Sequence, residues 1–142
     1  MRNFFLLFIL FISFQQCALP QETANQSVQA YNNGQGNNAF ILNTKESLYL
    51  SNVDLKIRFL GVTQDSRCPK DVQCVWPGNA RIKLQVNEEL FTLDTQDLKS
   101  NNYTKSKSVN GFTYTLLQLY PEKTSDKEIS EYAIRLKIEK DN

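Results

Sequence analysis

The chain has 142 residues, 41% hydrophobic and 11% aromatic, with 16 Lys+Arg against 15 Asp+Glu and no histidine. That composition fits one globular domain with a processed end, and it excludes a disordered chain. The missing histidine removes Ser-His-Asp and Cys-His catalysis, imidazole metal sites and pH switching near neutrality.

In chain order, Arg2 precedes the apolar run Phe4 to Phe14, and Gln15, Gln16 and Cys17 follow. Charge, apolar stretch and processing region in that order form an export signal. The run holds 11 residues, well short of the about 20 that a membrane-spanning helix needs. Residues 1–17 are therefore read as an export signal, with Cys17 as the candidate lipidation site. Phe14-Gln15-Gln16 is bulkier than the small residues that usually precede a lipidated cysteine, and cleavage after Ala18 would put Gln16 at position −3. The alternatives are that Cys17 carries lipid or that the domain is a soluble periplasmic or secreted protein. Cysteine arithmetic favours lipid. Of three cysteines, Cys68 and Cys74 can pair within the domain, which leaves Cys17 directly behind the export signal. Loss of the signal removes Arg2 and leaves 15 charges of each sign. A near-neutral chain offers no basic field for nucleic acid, and membrane contact is expected through the lipid anchor only.

Residues 18–39 are rich in amides, among them Gln21, Asn25, Gln29, Asn32, Asn33 and Asn37, with Gly34 and Gly36 between them. Such a stretch cannot build a core and reads as a flexible tether. As a flexible chain it spans roughly 25 Å on average.

From Phe40 to residue 142 the apolar period is two, the mark of half-buried strands. Val53, Leu55, Ile57 and Phe59 alternate with polar residues. The same pattern holds for Ile82, Leu84 and Val86, and for Tyr132, Ile134, Leu136 and Ile138. Shorter strands are predicted at Ser47–Ser51, Glu89–Asp94, Tyr103–Ser108 and Phe112–Tyr120, the last as a central core strand. Turns are expected at Asn87-Glu88, Ser100-Asn101-Asn102 and Asn110-Gly111. No segment carries a helical stripe. About seven antiparallel strands, each with one apolar face, must close into a small all-β sandwich or barrel.

The most unusual stretch runs from Gly61 to Ala80. Five residues separate Cys68 from Cys74, and a disulfide between them would close a small ring worth about 2 kcal/mol. A zinc site lacks its second ligand pair, and a redox site lacks the two-residue spacing and the helix start, so no metal or cofactor is expected. Trp76, the only tryptophan, is read as a core plug behind the disulfide rather than a ligand-stacking ring. Asp65 and Ser66 are assigned to backbone bonds in a turn. Arg67, Lys70 and Asp71 then remain as the side chains able to face solvent, and they are the candidate partner-binding residues.

Asp65-Ser66-Arg67-Cys68-Pro69, followed by Cys74, Trp76, Gly78 and Ala80, resembles the signature of small exported proteins and lipoproteins of Bacteroidetes-type bacteria. The likeness extends over about 100 residues, from the strand Leu55 to Val62 to the closing strand from Tyr132. Pro77 stands where such sequences usually have alanine. The resemblance implies an envelope location, with Asp65, Pro69, Trp76 and Gly78 as structural positions, and it implies no chemistry. Neighbouring carboxylates such as Glu88 with Glu89, or Asp94 with Asp97, do not converge as a hydrolase pair must. The expected function is a non-enzymatic, envelope-tethered β-domain that binds or supports another envelope protein or glycan. The alternative is a secreted inhibitor presenting the Cys68–Cys74 loop; an enzyme using carboxylates or a thiol is the third reading.

Overall fold

The computed structural model describes residues 38–142. The segments expected to be export signal and tether, with Cys17, lie outside the described residues as far as residue 37. Eight strands form two antiparallel sheets. The chain order is β1 (Ala39–Asn43), β2 (Ser47–Leu50), β3 (Leu55–Asp65), β4 (Ala80–Val86), β5 (Glu89–Asp94), a 3-10 turn (Lys99–Asn101), β6 (Ser106–Val109), β7 (Phe112–Tyr120) and β8 (Ala133–Lys140). The first sheet runs β1-β8-β7-β6 and the second β2-β3-β4-β5. Two separate four-stranded sheets make the domain a sandwich, which decides between the two architectures open to the sequence, with eight strands where about seven were expected.

Period-two patterning explains which face each strand buries. Leu55, Ile57 and Phe59 of β3, Ile82, Leu84 and Val86 of β4, and Ile134, Leu136 and Ile138 of β8 all point into the gap between the sheets and are buried. Where parity fails, the ladder shows why. In β7, Tyr114 and Leu116 face inward, but the next inward residue is Leu119, because an extra residue enters the pairing with β8 between Leu116 and Gln118. Leu117 is the bulged residue, and it is exposed. β7 lies between β8 and β6, so the central position expected for it holds.

Three boundaries differ from the alternation. Val53 falls in the turn before β3 and is exposed, because Asp54 takes a left-handed φ of 49° that breaks the extended chain. Tyr103 makes only an isolated bridge with Leu98, and β6 begins at Ser106. Ala39, within the stretch read as tether, already pairs with Lys137 and is buried.

Phe91 of β5 and Tyr114 of β7 meet across the sheets, with ring centroids 5.6 Å apart. The Tyr114 hydroxyl is buried and has no hydrogen-bond partner among the described residues. Burial, with a smaller effect from the negative charge of Asp141, pushes its pKa up to about 12. Deleting an unsatisfied buried hydroxyl while keeping the ring removes a desolvation cost. Tyr114→Phe is expected to stabilise the domain by about 1 kcal/mol, read as a rise in thermal midpoint; a lower midpoint would show that the hydroxyl has a partner.

Candidate functional site

The loop between β3 and β4 starts as a continuation of their ladder. Asp65 pairs with Ala80. Beyond them, the Ser66 amide and hydroxyl both donate to the Asn79 carbonyl, at 2.7 and 2.8 Å. The Cys68 amide then donates to the Pro77 carbonyl at 2.9 Å. The two stems thus run side by side up to a ring closed by the Cys68–Cys74 disulfide, whose Cα atoms are 6.0 Å apart. Inside the ring, Val72 donates to the Pro69 carbonyl and makes a tight turn. Gly78 has a φ of 68°, and a Cβ placed there would lie 1.9 Å from the Ser66 carbonyl oxygen. No residue with a side chain fits where the stems pass this closely.

Asp65 and Arg67 anchor the first stem. Residues two apart in extended chain share a face, so their side chains lie together. Arg67 donates through Nε (2.9 Å) and a terminal nitrogen (2.7 Å) to the two Asp65 carboxylate oxygens, and through its other nitrogen to the Leu119 carbonyl at 2.9 Å. Tyr132 donates its hydroxyl to Asp65 at 3.2 Å, and Lys123 reaches the Asp65 main-chain oxygen. Burial works against the Asp65 carboxylate, but the hydrogen bonds and positive charge of Arg67, helped by Tyr132, outweigh it and hold the pKa below the ordinary carboxylate value.

Arg67 was expected to face solvent as a partner-binding residue. Instead it turns inward, with 14% of its side chain exposed, because Asp65 and the end of β7 offer three acceptors matched to its planar fork. Lys70 is exposed as expected and lies 3.6 Å from the equally exposed Glu122, a pair that contributes little. Its amide is already bonded to the Lys123 carbonyl. Asp71 is exposed but engaged: it accepts from the Ser125 amide at 3.0 Å and from the Ser125 hydroxyl. The hydroxyl bond, with the amide bond and Lys70 adding to it, lowers the Asp71 pKa. Both residues therefore tie the ring to the segment joining β7 and β8. A cleft lined by Asp65, Pro69, Lys123, Ser125, Lys127 and Tyr132 opens beside this seam.

Trp76 corrects the expectation more sharply. It is 79% exposed, and its neighbour Val75 is 91% exposed. The space between the sheets is already filled by Phe59, Phe91 and Tyr114, and the loop extends beyond the last rung of the sandwich, so no core remains for the indole to plug. With the exposed Val72, the loop holds three apolar side chains in solvent.

The second stem rests on a buried polar network that alternation alone does not reveal. Asn79 is buried; its side-chain amide donates to Asp94 at 2.7 Å, and its carbonyl oxygen accepts from the amides of Thr95 and Gln96. Asp94, also buried, accepts from Arg81 Nε at 2.9 Å and from the Thr104 amide at 3.1 Å. The usable signal lay in Asn79 itself, a polar residue between the motif's Gly78 and the first residue of a core strand.

No protein-family model, no curated protein and no solved structure matches this chain.

Two outcomes follow from this geometry. Gly78→Ala forces a side chain against the Ser66 carbonyl in a left-handed backbone, and it is expected to cost at least about 2 kcal/mol in denaturant unfolding. Because the Asp65 pKa is depressed on folding, its contribution is present above its ordinary value of 3.8 and is lost as pH falls through the folded value. Asp65→Asn should thus be destabilising at neutral pH by about 1.5–3 kcal/mol, with the gap to wild type narrowing below pH 3.8; a constant gap would refute the charged pair.

Proposed function

We propose that this protein is a non-enzymatic binding domain of a bacterial envelope, tethered through a lipidated Cys17. It uses the tip of the disulfide loop to engage another envelope component, protein or glycan. The observation that carries the reading is the pairing of exposure with rigidity: Val75 and Trp76 are 91% and 79% exposed on a loop fixed along both stems. Exposed aromatic surface is costly in water, and tryptophan supplies large contact area at the centres of interfaces. A loop that is already ordered loses little conformational freedom when it binds.

Ala39 pairs with Lys137 of β8, and the loop docks where β7 ends at Leu119. The first described strand thus starts three rungs along β8 from the loop end of the sheet and runs toward that end. The inhibitor reading draws less support, since Arg67 is turned inward and the Lys70 amide is already bonded.

Two measurements test this. The intact mass of the protein recovered from a bacterial envelope should correspond to a chain that begins at Cys17 and carries added acyl mass; an unlipidated chain beginning at Ala18 or later would remove the anchor. A photo-crosslinking residue in place of Val75 should give a discrete adduct in intact envelopes that disappears on Trp76→Ala, while Trp76→Ala changes stability by no more than about 0.5 kcal/mol. A strongly destabilised Trp76→Ala protein, or an adduct indifferent to it, would overturn the tip as the contact.

A further inference from the structure

The two arms of the cysteine ring are held in different ways. On the outgoing arm, the Pro69 carbonyl accepts from the Val72 amide, the Lys70 amide donates to the Lys123 carbonyl, and Asp71 accepts from the Ser125 amide and hydroxyl. On the return arm, Gln73, Cys74, Val75 and Trp76 are all exposed. Among the described residues, none of these four makes a hydrogen bond or an ion pair. Between the Val72 turn and Pro77, whose carbonyl accepts from the Cys68 amide, the sulfur–sulfur bond is the only crosslink on that arm among the described residues.

The stems do not need that bond. Asp65 with Ala80 and Ser66 with Asn79 continue the strand ladder, and Arg67 and Asn79 fasten each stem to the sandwich. What the disulfide alone fixes is the arm that carries Val75 and Trp76. Its two sulfurs sit differently, for Cys74 is exposed and Cys68 is half-buried. The Cys68 sulfur lies 3.4 Å from the carbonyl oxygens of both Pro69 and Val72. A disulfide sulfur has no proton to give those acceptors, whereas a thiol does.

We infer that Cys68–Cys74 is an exchangeable disulfide, opened at the Cys74 sulfur by a protein dithiol, and that opening it frees Val75 and Trp76 while the stems stay paired. Exposed disulfides are the ones thiolates reach, and the free main chain around Cys74 gives an oxidoreductase a backbone to bind. A thiolate of the partner attacks the Cys74 sulfur and forms a mixed disulfide. The electron pair of the broken bond goes to Cys68, which takes a proton from water and can give it to the Pro69 and Val72 carbonyls. The partner's second thiolate then attacks its own sulfur in the mixed disulfide, and Cys74 leaves as a thiol. The partner's dithiol is thereby oxidised to a disulfide, and this domain, the substrate, gains two thiols. Loss of partner binding on reduction rests on the tip being the contact proposed above; the exchange itself does not.

The test uses protein recovered from the bacterial envelope, with dithiothreitol as the dithiol, alkylation as the quench and intact mass as the count. A thiol at Cys17 is labelled before reduction and is counted apart. Without denaturant, Cys68 and Cys74 should become reactive together, at a rate proportional to dithiothreitol and within about twofold of wild type in Val86→Ala, a cavity in the core. A rate that levels off with dithiothreitol, or rises at least about tenfold in Val86→Ala, would show that the bond opens only in the unfolded chain and overturn the inference. Trp76, the only tryptophan, reports the arm directly. Its fluorescence anisotropy should fall in the reduced protein, while the Ser66 and Thr95 amides keep their protection from hydrogen exchange. Unchanged anisotropy, or loss of that protection, would also overturn it. In envelopes, the Trp76-dependent adduct from position 75 should disappear on reduction, and an adduct that persists would refute control of binding by the disulfide. Absence of that adduct from oxidised envelopes would instead refute the tip as the contact, with the exchange decided by the thiol count and the anisotropy.

Discussion

Arg67 holds three acceptors with one guanidinium: both carboxylate oxygens of Asp65 and the main-chain oxygen of Leu119. Asp65 ends β3 in one sheet, and Leu119 lies near the end of β7 in the other. A single planar group therefore joins the sheets at the end where the loop emerges. The apolar faces alone would bring the sheets together without fixing how the loop sits on them. The directional bonds supply that orientation, and the geometry of Asp71 with Ser125 and of the Lys70 amide with Lys123 follows from it.

The stem opposite Arg67 is secured by different means. Asn79 and Asp94 form a buried network whose members are paired through side chains and backbone amides, the condition under which buried polar groups add rigidity. Between the two anchors, Gly78 lets the chains pass closely enough for the ladder bonds to continue past the end of the sheet. These supports allow a loop containing a disulfide to hold apolar side chains in water without collapsing onto the core.

Much of the fold was legible because strand burial repeats with period two: β5 and β7 occupy the ranges the alternation predicts, Glu89–Asp94 and Phe112–Tyr120. The loop motif was legible as a braced structure but not in its orientation. Burial of Trp76 depends on whether the sheets leave a space for it, which is a property of the whole core and not of its neighbours. Arg67 was in principle readable, since Asp65 and Arg67 share one face of an extended chain, but its third acceptor comes from a carbonyl 52 residues away.

The hydrogen-bonded stems have one more consequence, for oxidation of the chain. Three cysteines allow three possible pairings. The ladder from Asp65–Ala80 through Ser66–Asn79 to Cys68–Pro77 does not itself require the sulfur–sulfur bond. Once these bonds form, the turn at Pro69–Val72 brings the chain back so that Cys74 returns beside Cys68. A ladder formed in the reduced chain would raise the local concentration of one thiol at the other, so the bonds that hold the stems would also favour Cys68–Cys74 over a pairing with Cys17.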